Sequence, residues 1–190
     1  MTPDDLDLAV DTLSAALRPA VDRDWSAPAG VLEYDCRRAA EHIGDCLLSY
    51  AGQVVSRPDR RYVRFMAKAD DGATPAELVE FAETGGRILA ATLRCAPADL
   101  RAYHPSGMAD VDGWTGMGCV ETLLHGEDIA TGLGTGLHPD NDLCERILSR
   151  MFPHVERNGM DAWTTLRWYS GRLKLPELNS PGRWHWVSAP

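Results

Sequence analysis

The sequence is short of basic charge. Nineteen Lys and Arg face 28 Asp and Glu, a formal net charge of −9. Non-specific nucleic-acid binding and docking on an anionic membrane both depend on Lys and Arg neutralising phosphates, so neither partner is expected. No stretch approaches 18 uninterrupted apolar residues, the minimum for a membrane-spanning helix. The acidic start Met1-Thr2-Pro3-Asp4-Asp5-Leu6-Asp7 lacks the basic–apolar opening of a secretory signal. The five cysteines (Cys36, Cys46, Cys95, Cys119, Cys144) are odd in number and include no CxxC pair. That spacing excludes a disulfide framework and a cysteine-rich zinc module and points to a reducing, cytoplasmic compartment.

What is present is helical periodicity. At 190 residues with 44% apolar and 25% charged content, the chain has the make-up of one globular domain, residues 1–190. Leu6, Val10, Leu13 and Leu17 follow a 4-3-4 spacing that places them on one stripe of a helix over about 3–21. A second helix is expected over about 33–56, ended by Arg57-Pro58-Asp59. Thr74, Pro75 and Glu77 make a capping-box start for a third, to about Cys95. A fourth runs over about 113–131 and closes on Gly132, Gly134 and Gly136. A short fifth spans Asp140 to Phe152, with Asn141 or Asp142 as its cap. Residues 60–67 read equally as a short strand or an extended linker, and 96–112 as a loop. The fold class is mainly all-α: an up-down bundle over about 3–152 with one short extra helix. A Trp-rich tail, 153–190, packs back over it. Trp184-His185-Trp186-Val187 alternates like a strand.

The residues able to carry chemistry lie on the second and fourth helices. Glu121 and His125 are four apart, about 40° around the axis and one turn along, so both can reach one ion. Asp128, three residues on, shares that face and is placed to accept the second N–H of a ligand imidazole. Such a pair is common on solvated helix surfaces, but Met117, Val120, Leu123 and Leu124 mark this helix as buried, where an uncompensated Glu is costly. His42 has similar apolar company in Ala39, Ile43 and Leu47. Its alternative reading is a core histidine satisfied by a neighbour. Cys46, one turn from His42, is the fallback ligand.

Three segments carry a resemblance. Asp24-Trp25-Ser26 with Leu32-Glu33-Tyr34 and Ala40-Glu41-His42 is the first, and Met117-Gly118-Cys119-Val120-Glu121-Thr122-Leu123-Leu124-His125-Gly126-Glu127-Asp128 the second. The third is Leu166-Arg167-Trp168-Tyr169-Ser170-Gly171-Arg172, with Trp184-His185-Trp186 beyond it. Over most of its length the chain resembles the DinB-like superfamily, and within it the N-terminal metal-binding domain of mycothiol-dependent maleylpyruvate isomerases. The resemblance implies a four-helix bundle in which His42, Glu121 and His125 bind one divalent ion, zinc first and nickel or manganese next. The isomerases carry a further domain where this sequence has a short tail, so their thiol and substrate contacts are not carried over.

Three protein ligands leave a coordination position for water or substrate. The function implied by the resemblance is a thiol-dependent transferase or isomerase, with mycothiol as co-substrate and a small-molecule electrophile as partner, working alone or as a homodimer. The alternatives are a metal-assisted hydrolase, with Asp128 or His104 as the assisting group, and a non-enzymatic metal- or ligand-binding protein. Arg37, Arg38, Arg87, Arg167 and Arg172 are candidates for a basic pocket, or for ordinary surface ion pairs.

Overall fold

The computed structural model describes residues 1–179, 182 and 184–190. It is mostly α-helical: α1 (Pro3–Leu17), α2 (Cys36–Ser56), α3 (Pro75–Arg94), α4 (Val111–Gly132), α5 (Asn141–Met151) and α6 (Ala162–Tyr169), with a two-stranded hairpin of β1 (Ala102–His104) and β2 (Gly107–Ala109). Among the described residues no helix is long and apolar enough to cross a membrane.

Local chemistry fixes the starts of these helices. Thr74 and Glu77 form the expected capping box on α3, and Asp35, Asp110 and Asp161 each accept the backbone N–H three residues on. The helix expected to reach residue 21 ends at Leu17 and tightens into a 3-10 turn over Arg18–Ala20. Pro19 explains the break: it has no N–H to give to the α-helical ladder. α5 is capped by Asp140, not by Asn141 or Asp142. The expected loop 96–112 contains the hairpin, in register Ala102↔Ala109, Tyr103↔Met108 and His104↔Gly107. The tail holds a helix, α6, that the apolar spacing did not reveal. Residues 184–187 form no strand. The N–H of Val187 instead donates to the carbonyl of Met151 at the end of α5.

Helices α1 and α2 each pack against both α3 and α4, and α5 and α6 pack on each other with α5 against α4. α2 and α3 approach closely at two glycines: a Cβ on Gly85 would stand 2.9 Å from the Gly44 carbonyl oxygen. Residues 57–73, which include the segment 60–67 with its two readings, are an extended strap without strand pairing. It runs back along α2, held by α2 side chains at intervals. Gln53 accepts from the N–H of Val63 at 2.9 Å, Asp45 from that of Ala67 at 2.7 Å, and Arg37 donates to the carbonyl of Ala73.

α4 is the central helix. From Gly113 to Ala130 every position is buried except Glu121 and His125, which are half-buried. A helix apolar nearly all round belongs inside a core. The two polar residues therefore mark the one place on this stretch where α4 meets accessible space.

Candidate metal centre

Glu121 and His125 face α2 at the level of His42. Oε2 of Glu121 lies 3.1 Å from Nε2 of His125 and 3.6 Å from Nε2 of His42. The two imidazoles meet edge to face, with ring centroids 4.8 Å apart. The other carboxylate oxygen, Oε1, accepts a hydrogen bond from the Tyr50 hydroxyl at 3.3 Å. The two nitrogens thus approach a single carboxylate oxygen from two helices. A tetrahedral ion with ligands at about 2.0–2.1 Å separates neighbouring donor atoms by about 3.3–3.4 Å, and the observed spacings fall on either side of that value.

Cys46 borders the same point. Among the described residues, the group whose donor atoms all lie within 4.8 Å of one another is His42, Cys46 and Glu121, a candidate triad in which Cys46 stands in the place expected for His125. Burial first, then the Glu121 charge, push the Cys46 thiol well above its ordinary range, so it is a thiol until an ion displaces the proton. His125 differs in being backed from behind: Oδ2 of Asp128 stands 3.4 Å from its Nδ1. A carboxylate behind a ligand imidazole is the usual outer arrangement at metal sites, and it favours His125 as the third donor.

Electrostatics agree with a site built for positive charge. Burial opposes ionisation of Glu121, but the His125 and His42 imidazoles outweigh it and hold the carboxyl well below the usual carboxylate range. Burial likewise disfavours a cationic His125, yet Asp128 and Glu121 prevail and push it up to about 9. A proton or a metal ion fills the same role here, and the two compete.

The sequence candidates divide clearly. His42, Glu121 and His125 come together, Cys46 joins them, and Asp128 sits directly behind His125. His104 does not join them. It lies in an aromatic cluster with Tyr50, Tyr62, Trp114 and Trp186. Its Nδ1 accepts the Ser106 backbone N–H at 3.1 Å. Burial pushes its pKa down to about 4, against a small opposing effect of Glu121, so it is a neutral ring. Of the arginines, Arg87 pairs with Asp7 and Asp11 on α1. Arg167 pairs with Glu127 at 2.8 Å, and Arg172 is buried against Asp128. Arg38 stacks over the Tyr34 ring, 5.4 Å from its centre.

Tyr50 is the residue that reading the sequence missed. His42, Cys46 and Tyr50 are spaced i, i+4, i+8, one stripe of α2, and that stripe was the available signal. The open side of the site is at His42, whose side chain is 42% exposed against 12% for Glu121 and 15% for His125. A cleft of about 540 Å³ runs along this part of α2, between it and the strap, lined by Arg38, Glu41, His42, Asp45 and Lys68 among others. Neither family models, nor curated proteins, nor solved structures give a match to this chain.

Proposed function

We propose that the protein is a divalent-metal protein of the DinB-like type, in which His42, Glu121 and His125 hold one zinc-like ion that activates a low-molecular-weight thiol for transfer or isomerisation. The observation that carries this reading is the convergence of two imidazole nitrogens, at 3.1 and 3.6 Å, on one carboxylate oxygen of Glu121. Two imidazoles and a carboxylate suit zinc, with nickel and manganese as weaker fits. An ion so held supplies Lewis acidity and lowers the pKa of a bound thiol or water.

The chain's own residues account for the rest. Tyr50 fixes Oε1 of Glu121, leaving Oε2 for the ion. Asp128 keeps the Nε2 of His125 turned inward. The exposed edge of His42 faces the cleft, the route by which a small molecule reaches the site. Hydrolysis is less well supported, because neither assisting candidate is free. Asp128 is engaged by Arg172, and His104 is enclosed by aromatic rings.

A second reading rests on Cys46. If its thiolate joins the two histidines and Glu121, four protein ligands close the site, the pattern of a structural ion and a non-catalytic metal-holding protein. Cobalt substitution separates the two. The thiol-activation reading expects a near-ultraviolet thiolate-to-cobalt band only after mycothiol is added, together with adduct formation from a panel of electrophiles by the metal-loaded protein and not by the chelator-stripped one. A thiolate band in the protein alone, abolished by Cys46→Ser, supports the closed site. Cobalt binding with no response to any added thiol removes the thiol-transfer reading.

A further inference from the structure

Arg172 lies 44 residues beyond Asp128, in the turn that follows α6. That turn is tight: the N–H groups of both Arg172 and Leu173 donate to the Arg167 carbonyl, and Gly171 supplies the left-handed φ of +78°. The turn delivers the guanidinium into the interior, where the Arg172 side chain is 5% exposed and that of Asp128 1%. Nη2 donates to Oδ2 of Asp128 at 2.6 Å and Nε to the same oxygen at 3.1 Å. Nε also reaches the Leu124 carbonyl at 3.1 Å, and Nη1 the Ser170 carbonyl at 3.3 Å. The guanidinium therefore spans the turn of α4 that carries His125, gripping it at residues 124 and 128.

The same Oδ2 is the oxygen 3.4 Å from Nδ1 of His125, a buried nitrogen that makes no hydrogen bond among the described residues and has this carboxylate as its charged neighbour. On its far side Asp128 is boxed in by Gly30, where a Cβ would stand 2.7 Å from Oδ1 and 2.8 Å from Cα. A carboxylate alone behind an imidazole can rotate away from it. One held by two N–H donors and a wall of backbone cannot. A buried ion pair adds little net stability over an apolar pair of similar volume, so its value here lies in what it orients.

We propose that Arg172 is a positioning residue for the metal centre: it fixes Oδ2 of Asp128, which aims the Nε2 of His125 at the ion. The inference rests on the metal-site reading above and adds to it a residue from the C-terminal segment. Arg167 provides the control. It joins α6 to Glu127 of α4 at 2.8 Å, one residue from Asp128, but that carboxylate does not pair with His125. It tethers the tail without touching the ligand chain.

The test is a zinc titration against a chromophoric chelator, with the d–d spectrum of the cobalt form as a second readout. Arg172→Met should weaken zinc binding about 10- to 100-fold, the range seen when an outer partner of a ligand is lost, and should alter the cobalt d–d bands. Arg172→Lys should recover part of the loss, and Arg167→Met should stay within about twofold of the unsubstituted protein by the same measure. Asp128→Asn/Arg172→Met has no orphaned buried charge and serves if the single variant does not fold. It should lose about as much affinity as Asp128→Asn alone, because the two residues act in series. Unchanged affinity and spectrum in a folded Arg172 variant overturn the proposal. An equal loss in Arg167→Met also overturns it, since tethering would then be the whole effect. Absence of zinc binding in the unsubstituted protein overturns the metal site itself, a result distinct from either.

Discussion

Nε2 of His42, on α2, stands 3.6 Å from Oε2 of Glu121, on α4, and the same oxygen is 3.1 Å from His125 one turn further along that helix. Two imidazoles, one from each helix, thus approach one carboxylate oxygen.

Cys46 borders the site without the backing that His125 has. Cys46→Ser should therefore leave zinc affinity within about tenfold of the unsubstituted protein, whereas His125→Ala should lower it by well over about 100-fold, as expected for an outer neighbour against a true ligand. Competition titration reads both. A collapse of binding in Cys46→Ser with retention in His125→Ala would exchange their roles and favour the triad of His42, Cys46 and Glu121.

His104 makes a pH prediction independent of the ion. Its folded pKa is pushed down to about 4 by burial, below the ordinary value of 6.5. Between those values the unfolded chain binds the proton and the folded chain does not, so stability rises with pH through this window. The contribution is complete above about pH 6.5 and is lost as pH falls toward 4. Urea unfolding of chelator-treated protein at intervals from pH 4 to 7 should show a steeper loss of stability than in His104→Phe. Parallel curves would show that the ring titrates normally.

Gly85 and Gly44 let α2 and α3 approach closely. The atom that a Gly85 Cβ would meet at 2.9 Å is a backbone oxygen, which cannot rotate aside as a side chain can. Gly85→Ala should destabilise the protein by about 1–3 kcal/mol through this overpacking, even though alanine favours helix. Thermal unfolding checks it. A variant more stable than the parent would mean that the two helices are not held at this distance.

Much of this arrangement is legible in the sequence because it depends on local rules. Thr74-Pro75-x-Glu77 announces the start of α3, and the apolar stripe of Leu6, Val10, Leu13 and Leu17 announces α1. Glu121 and His125 could be paired because a helix places i and i+4 on one face. What was not legible depends on contacts distant in sequence. The hairpin at 102–109 is only three residues per strand, too short for an alternating pattern to stand out, and Tyr103 is anchored by the carbonyl of Pro58. α6 has eight residues, and its cap, Asp161 with Thr164, is its main local mark. Arg172 reads as a surface cation until the turn after α6 carries it to Asp128. Cys46 and His125 are both visible as candidates, but helix spacing alone does not say which of them meets His42 and Glu121 across the two helices.

The central claim is that His42, Glu121 and His125 hold a metal ion, and the most direct measurement is the metal content of the purified protein. The unsubstituted chain and the three single alanine variants would each be offered zinc, nickel and manganese in turn, desalted, and analysed for bound metal, with circular dichroism recorded on the same samples. The account predicts about one ion per chain in the unsubstituted protein, with zinc preferred. Each variant should hold almost none while keeping its helix content, because the apolar core around α4 does not depend on these side chains. No bound ion in the unsubstituted protein with any of the three metals, or full occupancy persisting in all three variants, would contradict it.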